Sequence, residues 1–251
     1  MDHLRSRHTL AERPADLDPE EALERLRRRP DESDREFAGR AVDVLHRSIV
    51  HGIDHGHLAA DRWHLPPEEN LLIHLGARLL PRLSYYPFCD HERAVWRGVG
   101  LCGQHARALT SVLRAGGVNA DPVPLPNHVV VEADLDGDPH VLDSHLNTVV
   151  PHGINSLVED PELVRPHYRG THLHQRDDLN ETELDNVVDE VYGGRASNGY
   201  HYLRALRVLK RLGLSLFDVH AGLERLVYLA DGFIPDTMRE RFKRGDVAWG
   251  R

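Results

Sequence analysis

Pro122, Pro124 and Pro126 stand at alternate positions in a chain whose flanks read as helix. Proline lacks a backbone donor, and prolines two apart remove donors along one edge only. This segment is therefore an edge strand or an extended loop. Val129-Val130-Val131 follows as strand, Asp136-Gly137 supplies turn chemistry, and Val141-Leu142 continues as a second strand. The middle of the chain thus carries a β-hairpin.

The hairpin's turn fixes which residues share a face. A two-residue turn at Asp136-Gly137 pairs Leu135 with Asp138 and brings Val130 opposite Asp143, diagonal to His128 on the same face. A turn at Leu135-Asp136 sets His128 and Asp143 directly opposite, and a four-residue turn keeps them on one face but further apart. Only an odd loop separates them.

The flanks follow a helical period. Asp18-Pro19-Glu20-Glu21 reads as a helix start, with the helix running through Leu23 and Leu26 to Arg27-Arg28-Arg29 and stopping before Pro30. The arginines are expected as a solvated helix end, with phosphate binding as the alternative. Ser33 or Asp34 caps a helix from Arg35 to about His51, with Phe37, Ala41, Val44, Leu45 and Ile49 on one face. Pro66-Pro67-Glu68-Glu69 opens a third, carrying Leu71, Leu72, Leu75, Leu79 and Leu80 up to Pro81. Cys102 to Ala115 is helical, with Cys102, Ala106, Leu109 and Leu113 on one face, Gln104, Arg107, Ser111 and Arg114 elsewhere, and Gly116-Gly117 as the stop. Helices are also expected over 181–192, 200–212, 216–229 and 236–243. The fold class is α+β, divided into a charged helical arm over 1–36, a core over 37–165 and a helical region over 166–251.

Composition narrows the function. The 251 residues include 40 acidic and 31 basic side chains, a formal charge of −9. That balance argues against a nucleic-acid partner. No apolar run marks a secretory signal or a membrane span, so the expected setting is the cytoplasm, with no membrane partner. Cys89 and Cys102 are the two cysteines, too few for a disulfide scaffold or a four-cysteine zinc site.

Of the two, Cys102 has the chemistry of a nucleophile. It stands at the first turn of a helix, where the dipole stabilises thiolate, and the glycines beside it leave backbone amides near the sulfur. His128 and then Asp143 follow on one face of the hairpin, the arrangement in which an acid orients a base that activates a thiol. Cys89, in Pro87-Phe88-Cys89-Asp90, has no helix start, and the adjacent acid disfavours its thiolate.

The run Gly98-Val99-Gly100-Leu101-Cys102-Gly103-Gln104-His105-Ala106, the helix ending in Leu113-Arg114-Ala115-Gly116-Gly117-Val118, the strand opening His128-Val129-Val130-Val131-Glu132 and the strand Val141-Leu142-Asp143 together resemble the transglutaminase-like superfamily. The resemblance covers roughly residues 94 to 150. It implies a papain-like core in which a Cys-bearing helix packs on a small antiparallel sheet. It implies Cys102 as nucleophile, His128 as general base and acid, and Asp143 as the orienting acid. It also implies acyl transfer at a protein, peptide or small-molecule amide, without a cofactor or metal. The chain departs from that family in having Val129-Val130 after the histidine, where an Ala-Trp pair is common. It also lacks the Trp that often precedes the acid. Arg97-Gly98-Val99-Gly100-Leu101-Cys102 also resembles the Arg-Gly-Gly-x-Cys motif of arylamine N-acetyltransferases, which implies acetyl-CoA as acyl donor.

Other roles are open at this level. A papain-like fold retained as a non-catalytic binding module is one. His105, one turn after Cys102, is an alternative base, and Glu132 and Asp121 are alternative acids. Trp63, Tyr86 and Trp96 are oxyanion candidates by position. Cys89, Cys102 and His105 are a conceivable zinc set, and the 19 histidines include two further groupings, His51-His55-His57 and His167-His172-His174.

Overall fold

The structure is a computed structural model that describes residues 16–51, 69–80, 88–168, 179–194 and 215–237. The expected helices over 200–212 and 236–243 lie outside these residues, apart from 236 and 237, as do Pro66–Glu68 and residues 81–87. The described chain is α+β, as its sequence predicts.

Two helices precede the first strand. Helix α1 spans Pro19–Arg25, with the Asp18 carboxylate accepting from the amides of Glu20 and Glu21. It ends before the three arginines. Arg28 is not a solvated end: it donates to the carbonyl of Gly116 at 2.7 Å and pairs with Asp34 at 2.6 Å. Helix α2 spans Asp34–Ser48, started by a capping box in which Ser33 and Glu36 exchange bonds. It stops short of the predicted end because Val50 donates its amide to Gly98 at 3.0 Å. Val50–His51 becomes strand β1 instead.

Helix α3 spans Leu71–Leu79 and is capped by Asn70. Its buried residues are Leu71, Ile73 and Ala77, whereas Leu72, Leu79 and Leu80 are exposed, so the packed face differs from the leucine-only face expected. Helix α4, His91–Arg97, has no counterpart in the sequence reading. Gly98 ends it in the left-handed region, φ 67°. Strand β2, Val99–Gly100, pairs in parallel with β1, setting Val50 beside Val99 and His51 beside Gly100.

Helix α5 spans Cys102–Ala115 and is closed by Gly116, as expected. Then come β3 (Ala120–Leu125), β4 (His128–Leu135), β5 (Asp138–Asp143) and β6 (Thr148–Val150), an antiparallel sheet in that spatial order. β3 is an edge strand, which explains how it tolerates Pro122 and Pro124. The β4–β5 turn is Asp136-Gly137, with φ of 57° and 91°, and Leu135 pairs with Asp138, the first of the registers expected. β6 and the helices after it, α6 (Ile154–Glu159) and α7 (Arg165–Tyr168), were not foreseen. Helix α8, Glu181–Asn186, continues as a wider helical turn over Val187–Gly193, and α9 spans Leu216–Gly232.

The sheet is buried on both faces. Alternation along β4 sends Val131, Ala133 and Leu135 to one side, where they meet Leu109, Val112 and Leu113 of α5 and Phe37, Ala41 and Leu45 of α2. Val130 of β4 and Val141 of β5 face the other side, against Leu157, Tyr168, Leu184, Val188 and Tyr192. Residues on both sides of position 165 thus share the second core. Among the described residues no helix is long and apolar enough to cross a membrane.

Candidate active site

Cys102 opens α5. Leu101 before it has an extended backbone, and Gln104 reaches back so that its side-chain carbonyl accepts from the Leu101 amide. Gln104 is therefore buried, though its helical position suggested otherwise. Gly100 lets this turn close. A Cβ there would lie 3.0 Å from Cβ of Gln104 and 3.2 Å from Cγ2 of Ile49. The start of α5 passes over the start of β4: a Cβ on Gly103 would touch Val129 at 4.0 Å.

His128 is the first residue of β4 and Asp143 the last of β5, so both lie at the same end of the hairpin. His128 Nε2 and Asp143 Oδ2 are 2.7 Å apart. The His128 ring also bonds to the thiol of Cys102. With Nε2 committed to the acid, Nδ1 is the nitrogen left for sulfur. α5 brings the thiol from one side of the sheet, and Tyr168 arrives from the other.

Asp143 is held on every side. Its Oδ2 also accepts from the Tyr168 hydroxyl at 3.0 Å, and its Oδ1 accepts the amides of His145 and Leu146 at 3.0 and 3.2 Å. Tyr168 and Tyr192 share a further bond, hydroxyl to hydroxyl, at 2.9 Å, and both are fully buried. Sequence reasoning missed this tyrosine pair. It lies 25 and 49 positions beyond the acid, and no local pattern connects them.

The electrostatics follow. Burial alone would neutralise Asp143, but the positive His128 and its hydrogen bond hold the carboxyl well below the usual range. Burial likewise disfavours charge on His128, yet Asp143 and Cys102 together raise it well above the ordinary imidazole value. Burial would raise the Cys102 thiol. Hydrogen bonds from His128 and His51 outweigh it and bring the thiol down to about 6. Both shifts favour a thiolate beside an imidazolium. Cys89 is the opposite case, pushed up to about 12 by burial and then by Glu224, which also accepts its amide.

The alternatives now have places. Asp121 pairs with Arg114 at 2.5 Å, and Glu132 accepts the amide of Ile154 at 2.8 Å, so neither orients His128. His105 is buried beside the thiol's histidines, with its ring centroid 6.5 Å from that of His51. The bonds that lower the thiol come from His128 and His51. Trp96 lines a cavity of about 560 Å³ with Phe37, Val112 and Gly116, by the C-terminal end of α5 and so away from Cys102. Trp63, Tyr86, His55, His57, His172 and His174 lie outside the described residues. Arg97 is buried in an ion pair with Glu69 at 3.6 Å.

His128, Asp143 and His145 offer donor atoms within 4.8 Å of one another, the metal-competent group among the described residues. Two of those donors are already bonded together, so a cation there would displace the His128–Asp143 contact. Cys89, Cys102 and His105 form no such group. The histidine whose place sequence reasoning missed is His51, grouped there with His55 and His57, which lie outside the described residues. Here it sits in β1 and bonds to Cys102. No protein-family model, no curated protein and no solved structure matches the chain.

Proposed function

We propose that this chain is a cysteine-dependent acyl-transfer enzyme of the transglutaminase-like type, acting on an amide or related acyl group of a protein, peptide or small molecule. One observation carries the reading: His128 bonds to the Cys102 thiol and, at 2.7 Å, to a carboxylate that four donors hold in place. The chain order of Cys on a helix start, then His, then Asp on paired strands supports a papain-like core.

In the reaction, Cys102 sulfur forms a bond to the acyl carbon, and the carbonyl π pair moves to oxygen. When that pair returns, the carbon–nitrogen bond breaks, and the amine leaves with the proton held on His128. His128, now neutral, takes a proton from the incoming water or amine, which attacks the thioester and releases Cys102. Asp143 stabilises the imidazolium and fixes its ring. The thiolate needs reducing surroundings, in keeping with the cytoplasm.

The test is intact-mass detection of a covalent acyl adduct after exposure to a panel of amides, esters and thioesters. An adduct on Cys102 that is absent in Cys102→Ala and slow in His128→Ala is expected. No adduct from any compound, with Cys102 no more reactive than a model thiol, would return the chain to a binding module. An adduct formed only from acetyl-CoA would favour the acetyltransferase alternative.

A further inference from the structure

The reaction above requires a place for the charge that develops on the carbonyl oxygen. Attack by sulfur moves the carbonyl π pair onto that oxygen, and donors aimed at it lower the barrier. One source comes with the helix. The first amides of α5, those of Cys102 and Gly103, face its N-terminal end. A second donor has to come from outside α5.

His51 has the position for it. The parallel register sets His51 beside Gly100, two residues before the nucleophile. Paired strands lie about 4.8 Å apart, which puts the His51 ring within reach of the start of α5. The ring is also held. His145 stacks on it with centroids 4.0 Å apart and planes 24° apart. His145 is fixed in turn: its amide donates to Asp143 at 3.0 Å, and its carbonyl meets His46 Nδ1 at 2.9 Å. The support of His51 therefore runs back to the carboxylate that orients His128. The two imidazoles reach the sulfur from different elements, β1 and β4. His128 is tied to the acid and moves the proton.

Resting on the acyl-transfer reading, we infer that His51 is the second oxyanion donor, its ring N–H and the Cys102 amide together binding the oxygen of the tetrahedral intermediate. A protonated imidazole donates from both ring nitrogens and a neutral one from a single nitrogen, so His51 serves as donor when protonated or in the tautomer whose N–H faces the sulfur. In the resting site His51 bonds to the Cys102 sulfur. As sulfur gives its electron pair to carbon, the charge passes to oxygen and the His51 N–H follows it.

The distinguishing experiment uses two probes of Cys102, both read by intact mass on the full chain. Acylation by p-nitrophenyl acetate passes through an oxyanion, whereas alkylation by iodoacetamide displaces iodide and forms none. Both are run at roughly pH 9.5, above the ordinary thiol value, so that thiolate content does not limit either. In His51→Ala, acylation is expected to fall by about 100-fold while alkylation changes little. His51→Gln, whose side-chain amide still donates, should recover part of the loss and serves as the folded control. The assignment is overturned if acylation is unchanged, or if acylation and alkylation fall together in both variants. A wild-type Cys102 that alkylates but never acylates would instead overturn the acyl-transfer reading, and His51's role with it.

Discussion

Cys102 and Cys89 are the same residue type in opposite surroundings, and the difference is measurable. Iodoacetamide should modify Cys102 alone, with a rate that rises through a midpoint near pH 6 as the thiolate forms. In His128→Ala the midpoint moves up toward the ordinary thiol value, because a hydrogen bond and a positive charge are both lost. Rapid modification of Cys89 below neutral pH would contradict this assignment. Tyr168 is the next residue to test. Tyr168→Phe removes a buried hydroxyl that donates to Asp143 and contacts Tyr192. Leaving those groups short of a partner costs about 1–3 kcal/mol, visible as a lower urea midpoint with an unchanged slope. Asp143 also sets a pH dependence. Its folded-state value lies below its unfolded one, so its contribution to stability is fully present above about pH 4 and is lost as pH falls through the folded value. Urea midpoints of the wild type and Asp143→Asn should converge in acid.

Helix α5 and the β4–β5 hairpin were legible because each is specified locally. The helix has its period and its Gly116-Gly117 stop. The hairpin has the Asp136-Gly137 turn, whose positive φ values fix the register and with it the shared face of His128 and Asp143. β1 and β2 were not legible. Two residues paired in parallel have no period, and the pairing joins segments 49 positions apart. Helix α2 ends before His51 for the same reason, since Val50 bonds to Gly98 instead of extending the helix. The α5–α2 packing carries its own prediction. A Cβ at Gly116 would lie 2.2 Å from Cε1 and 2.6 Å from Cζ of Phe37, where the helix end closes on the core. Gly116→Ala should therefore destabilise the fold by about 1–3 kcal/mol through overpacking, read as a fall in Tm. A neutral result would mean that Phe37 moves freely.

Across the whole molecule, the sheet needs cover on both faces, and the chain after residue 165 supplies part of one. Tyr168, Leu184, Val188 and Tyr192 bury the side that Val130 and Val141 present. Helix α9 is anchored elsewhere, with Glu224 accepting the Cys89 amide at 2.6 Å and Asp231 the Leu72 amide at 3.1 Å. A chain ended after residue 165 should expose that apolar face, bind a hydrophobic dye and lose cooperative unfolding. Cooperative melting of the fragment would show that the first core suffices.

What the sequence determined by itself was whatever short-range physics encodes: α5, a proline-marked segment fit only for a sheet edge or an extended loop, a hairpin whose even-length turns all keep His128 and Asp143 on one face, and so the candidate trio Cys102, His128 and Asp143. Only the tertiary structure decided what surrounds them. His51 reaches the thiol through a parallel pairing, Tyr168 and Tyr192 reach Asp143 from across the sheet, and Arg28 ties down the far end of α5. Each of these contacts closes a long loop, and its stability comes from burial shared among distant segments, which leaves no periodic mark in the chain.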